Sequence, residues 1–145
     1  MITKISRTLV RMAFVAVSLA SQAQAADTAA FEAFGGKPGL DRVADLGIER
    51  VLRDPRIKDR FTSANIPRLK MMLATQFCML LGGPCEYTGR NMKESHAGFG
   101  LKDADFNALA EDFQLAMDDA GVPFRYQNVL IARLAPMERD IVERR

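Results

Sequence analysis

Beyond residue 26, apolar side chains recur at steps of three and four, and strict alternation is absent, so the pattern predicts helices and no strands. Leu40, Val43, Gly47, Ile48, Val51 and Leu52 fall on one stripe, with Arg42, Asp45, Glu49 and Arg50 largely off it. This helix should begin beyond Pro38 and end at Asp54-Pro55. A second helix carries Leu69, Met72, Leu73, Gln76, Phe77 and Leu80, with Asn65 as its N-cap and Pro67 in its first turn. At 3.6 residues per turn Leu69, Leu73, Gln76 and Leu80 share a narrow arc, and Cys78 lies about 180° from Leu69. Asp103 caps a long helix through Phe106, Leu109, Ala110, Phe113 and Met117, closed by Gly121 and Pro123. The last helix carries Val129, Leu130, Leu134, Met137 and Ile141, with a kink expected at Pro136.

Shorter pieces fill the gaps. Asp27 can cap a helix bearing Phe31 and Phe34, stopped by Gly35 and Gly36. Asn91 can cap another that runs through His96 and ends at Gly98 and Gly100. The fold class is all-α, with helices of uneven length joined by glycine-rich loops, which suits a globin-like stack better than a regular four-helix bundle. Gly47 interrupts its own stripe at a cost of about 1 kcal/mol relative to alanine. Either something large packs against the backbone there, or the helix tolerates the loss.

The N-terminus changes the picture. Lys4, Arg7 and Arg11 precede an apolar run from Met12 to Ala20, and Ala23-Gln24-Ala25 has the small residues of a cleavage site, so residues 1–25 read as a signal peptide. The competing reading is an uncleaved membrane anchor, which the short apolar run and the adjacent Asp27 disfavour. The expected product is one exported, periplasmic domain over residues 26–145, without a stable membrane anchor after cleavage. The leader holds three cations and no acid, so its removal takes the formal charge from +2 to −1. A nearly neutral domain has little electrostatic claim on nucleic acid, and none is expected as a partner.

The chemistry concentrates between Gly82 and His96, GGPCEYTGRNMKESH, which ends in the chain's single histidine. The glycine-proline break must terminate the preceding helix, so the chain reverses and hands one imidazole back towards it. One histidine cannot build a zinc cage, but it can be the one protein ligand of a haem iron. By spacing alone, a lone histidine near a helix end is more often a capping or partly exposed residue than a ligand. Phe61, Leu69, Leu73 and Phe77 supply more aromatic and branched surface beside it than a domain of this size needs for its own core, although an apolar stripe is core by default. A haem-free helical module using the same crevice for a partner is the alternative. The cysteines do not form CxxCH, so covalent haem attachment is not supported, and an exported chain can pair Cys78 with Cys85 across the helix-ending turn.

Several segments carry a resemblance. FGG at 34–36, RVLRDP at 50–55, Phe61, RLK at 68–70 and LGGPCEYTGRNMKESHAGFGL at 81–101 are together similar to the truncated haemoglobins of the first group. The likeness runs from about Phe31 to Met137. It implies a truncated globin-like two-over-two helical sandwich holding haem b through iron, with His96 as the axial ligand and Phe61 packed on the haem. It also implies that Ile48, Leu69, Leu73 and Phe77 line the opposite face. Arg68 and Lys70 can reach the propionates, or equally be solvated surface charges.

The departures matter as much. Many members of that family place a tyrosine at the position of Ile48 and a glutamine at that of Leu73, and those two donors hold the gas. Both are aliphatic here, which forgoes a charge-assisted hydrogen bond of about 1.5 to 3 kcal/mol to oxygen. Gly47, where the family commonly has an aromatic residue, is expected to leave extra room beside the haem. Gln76 points along the same arc as Leu69 and could supply a replacement donor, although two turns of rise place it about 10 Å away along the axis. The expected function is reversible binding of oxygen, or of carbon monoxide or nitric oxide, at a pentacoordinate iron with an apolar distal pocket. Nitric oxide dioxygenation, which needs a reductase partner, and electron transfer are the alternatives.

Overall fold

The computed structural model describes residues 28–143, so the leader, its cleavage site and the Asp27 cap lie outside the described residues. A short helix α1 covers 28–33 and is followed by α2 (Gly36–Val51), α3 (Ile66–Leu80), α4 (Met92–His96), α5 (Asp103–Asp119), α6 (Phe124–Leu134) and α7 (Glu138–Ile141). Single 3-10 turns occupy Lys58–Phe61 and Ala135–Met137, and no strand occurs among the described residues. The all-α expectation holds.

Helix α2 is the central element. It packs against α3 on one side and α5 on the other, and its stripe of Leu40, Val43, Ile48 and Val51 is fully buried. Phe77 from α3, Phe113 and Met117 from α5 and Leu130 from α6 complete the core around it. Phe77 and Phe113 meet edge to face, with ring centroids 5.4 Å apart, an arrangement that adds about 0.5–1.5 kcal/mol to their burial. At the outer edge of this layer Arg50 pairs with Asp119, and Arg56 pairs with both Asp54 and Glu111, so the end of α2 is tied to α5 by charge as well as by packing.

Four details depart from the sequence pattern. Helix α2 begins at Gly36 and takes Pro38 into its first turn, where a missing N–H leaves no hydrogen bond unmade. Lys102, not Asp103, is the N-cap of α5; Asp105 closes the turn by accepting the Lys102 N–H at 2.9 Å. The expected single last helix is divided, because Pro136 cannot donate to the ladder and the chain tightens to 3-10 before α7. Finally, the space expected at Gly47 is filled. A Cβ there would stand 2.3 Å from Cε1 of Phe113, so the glycine exists to admit that ring. Asn65 and Asn91 cap α3 and α4 as expected, accepting the N–H groups of Arg68 at 3.0 Å and Glu94 at 2.8 Å.

Candidate functional site

Between α3 and α4 the chain turns through Gly82, whose φ of 73° suits a residue without a Cβ, and then Pro84. Cys78 and Cys85 form a disulfide across this turn, with Cα atoms 5.8 Å apart. Both thiols are thereby consumed, and neither can attach a prosthetic group covalently. The bond fixes where α3 ends and where the loop into α4 begins.

Helix α4 is one turn long and buries none of its residues fully. His96 sits half-buried at its last position, with Nδ1 2.8 Å from the carbonyl oxygen of Met92. A carbonyl only accepts, so Nδ1 must carry the proton, and the lone pair is left on Nε2. This is the tautomer and the ring restraint that a metal-binding imidazole requires.

The residues after His96 are held by groups far away in the chain. Gly98 donates its N–H to Oε1 of Glu143 at 2.7 Å, and the Glu143 N–H donates to the Leu101 carbonyl at 2.9 Å. Arg60 donates to the Phe99 carbonyl at 3.3 Å while pairing with Asp105 at 3.0 Å. Arg60 precedes Phe61 directly, so the turn that presents that phenylalanine is bound to the loop that follows the histidine.

The sequence-derived site residues fall into two depths. Phe61, Leu69 and Leu73 are half-buried and packed against the core, leaving part of each side chain open. Ile48 and Phe77 are covered by protein neighbours, and stand behind that layer. Arg68 is exposed in the first turn of α3. Lys70 directs its ammonium 3.2 Å from Asp45 of α2, which occupies its charge locally. Gln76 is buried, and its amide nitrogen lies 3.6 Å from Sδ of Met92 and 3.8 Å from Sδ of Met137, away from any distal role. Two open surface grooves, one over Arg53, Pro55 and Asp112 and one over Ile66, Pro67 and Lys70, share no residue with His96 or its tethers.

Glu143, Arg60, Met92 and Met137 were not anticipated. Each acts through a contact of long sequence separation or through a backbone atom, and neither leaves a periodic signal. The donor set fits a haem: one correctly protonated imidazole, half-buried apolar side chains of Phe61, Leu69 and Leu73, and no free thiol among the described residues.

Comparison with known proteins agrees. A family model described as bacterial-like globin matches residues 29–143. Group 1 truncated hemoglobin GlbN of Mycolicibacterium paratuberculosis is 33% identical over 111 residues, covering 77% of this chain and 82% of that one. The group 1 truncated hemoglobin of Tetrahymena thermophila is 34% identical over 92 residues, covering 63% and 76%. Among solved structures, the Fe(III) form of the truncated hemoglobin from Tetrahymena pyriformis superposes with a TM-score of 0.76 at 27% identity, over 79% of this chain and 98% of that one. With a matching family model, relatives of similar length and a two-over-two fold in common, the chain belongs to the bacterial-like globins as a group 1 truncated haemoglobin, a haem-binding globin for diatomic gases.

Proposed function

We propose that the protein is exported and binds haem b non-covalently, with His96 as the proximal ligand and an apolar distal wall, for reversible capture of oxygen, nitric oxide or carbon monoxide. The observation that carries this reading is the Nδ1–H bond from His96 to the Met92 carbonyl, which leaves Nε2 as a lone-pair donor on a side chain otherwise free to turn. Haem, when bound, supplies the iron that takes the gas. The chain's own residues do the rest: Phe61, Leu69 and Leu73 exclude water from the apolar faces of the ring, with Ile48 and Phe77 packed behind them. Arg68 is the cation best placed for a propionate, since Lys70 is engaged by Asp45.

An aliphatic pair at Ile48 and Leu73 offers the gas no side-chain donor, and this favours reversible binding over nitric oxide dioxygenation, which needs long-lived bound oxygen and a reductase. Export is supported by the disulfide, a bond that persists in oxidising compartments. The mass of the mature protein recovered from the periplasm tests it, and a chain beginning at Ala26 is expected.

His96→Ala tests the ligand assignment. The expected outcome is loss of haem, or a ferrous spectrum restored only by added imidazole. Retention of haem with an unchanged ferrous spectrum would remove His96 from the iron.

A further inference from the structure

A one-turn helix has no stability of its own, because the cost of nucleating it exceeds what its few hydrogen bonds return. Helix α4 is five residues long with no fully buried side chain, yet it carries the only histidine. Its position must therefore be imposed from outside. The Asn91 cap closes its first turn but does not anchor it to the rest of the fold. Helix α4 packs against α7 without fully burying a residue, and directed polar contacts reach it and the loop after it from two places. From α3, Gln76 is buried to 6% exposure and brings its amide nitrogen to Sδ of Met92 and of Met137. From beyond α7, Glu143 accepts the Gly98 N–H and donates its own N–H to Leu101, bracketing the loop that leaves His96.

We propose that Gln76 and Glu143 are positioning residues for His96, gripping the one-turn helix at its two ends and so setting the pose of the imidazole. The inference rests on the reading of His96 as the iron ligand. Two features argue for positioning over bulk stability. A thioether is a weak acceptor, so burying an amide against two of them is a poor exchange for its hydration, and leucine would fill the same space without that cost. Gln76 stays there to pull on Met92, whose carbonyl holds the His96 ring. At the other end, Gly98 has φ of 81° and no side chain with which to hold the loop, so the charge-assisted bond from its N–H to Glu143 performs that function. The C-terminal residues of the domain thereby become part of the haem site without touching the haem.

The test uses the full-length holoprotein and reads the ferrous Fe–His stretch by resonance Raman, together with the rate of haem transfer to apomyoglobin. In wild type the band should be present, and His96→Ala should abolish it. Glu143→Ala and Gln76→Leu should each shift or broaden the band and release haem roughly tenfold faster, as loss of a supporting shell does at other metal sites. Glu143→Gln, which keeps an acceptor for the Gly98 N–H, should restore most of the wild-type band. Gln127→Ala is the control. It removes buried hydrogen bonds to Asp118 and the Val122 carbonyl and lowers stability far from α4, and it should leave the band in place.

An unmoved band in both Glu143→Ala and Gln76→Leu overturns the proposal, as does an equal shift in Gln127→Ala. A band that survives His96→Ala overturns the ligand reading and the proposal with it. Where a variant holds no haem, the His96 ring resonances of the apoprotein replace the Raman band. A ring that has lost the Met92 restraint should shift and broaden, and an unchanged ring is the overturning result.

Discussion

The two sides of the proposed haem site are built by different physics. On the side of α2 and α3 the wall is the front of the hydrophobic core: Ile48 and Phe77 are fully covered, Gly47 admits the Phe113 ring, and dispersion and burial hold everything in place. On the side of α4, His96, the proposed iron ligand, rides on one helical turn that packs on α7 without fully burying a residue, and directed polar bonds from Met92, Gln76 and Glu143 fix its pose. Packed walls resist changes of volume, and tethered ones resist changes of hydrogen bonding. A substitution should therefore register as stability on the first wall and as ligand geometry on the second.

The sharpest way to break that contrast is Phe113→Ala. It empties the space between Gly47 and Phe77 and should cost about 3–5 kcal/mol of unfolding free energy. Urea unfolding of the apoprotein measures it. If a variant that still folds keeps the wild-type Fe–His band, the two walls are independent; a shifted band would join them.

The disulfide sits at the junction of the walls. It closes a loop with a sequence separation of seven residues, and chain-entropy reasoning values it at about 2.5 kcal/mol. The double variant Cys78→Ser, Cys85→Ser should lose about that much stability, measured by denaturant unfolding in the absence of reductant. Thiol titration of denatured wild type should find no free cysteine.

The chemistry of the packed wall is tested by Ile48→Tyr. A phenol at this position should slow oxygen dissociation roughly tenfold to a hundredfold, while carbon monoxide, the poorer acceptor, changes much less. Stopped-flow dissociation of both gases decides it. Equal slowing would mean that the ring obstructs the exit, and no change would mean that the side chain, which is fully covered by protein, does not reach the gas.

The smallest effect is expected behind the packed wall, where burial, and next the charge of Asp54, hold the Asp112 carboxyl above its ordinary value of 3.8. Folding therefore favours protonated Asp112, so its contribution is fully present below 3.8 and is lost as pH rises through the raised value. Asp54 behaves oppositely: a hydrogen bond from Arg56 lowers its carboxyl, giving stability above 3.8 that is lost as pH falls through the lowered value. Asp112→Asn, neutral at every pH, should raise the Tm at pH 7 and give no gain below pH 3.8. Thermal melts across that range check the sign.

The division between packing and tethering also explains what the amino-acid order revealed. The stripe through Leu40, Val43, Ile48 and Val51 and the face of α3 were legible because burial on one side of a helix leaves a period of 3.6. The Asn65 and Asn91 caps were legible because capping is local. His96 stood out as a candidate through its uniqueness and its place after a helix-breaking turn. Gly47 pointed to a large neighbour against the backbone, but that the neighbour is Phe113 was not legible, because the two residues are far apart in the chain. Glu143 was invisible for the same reason: a glutamate near a chain end looks like solvated surface until the Gly98 N–H arrives beside it.

The meeting of Gly47 with Phe113 has a consequence for how this lineage can vary. One volume is shared by two positions, so a bulky side chain at 47 and a phenyl ring at 113 are mutually exclusive tenants of the same space. A globin of this kind that regains an aromatic residue at 47 should carry a small side chain at 113, and a drift from one state to the other must pass through either a void or a collision.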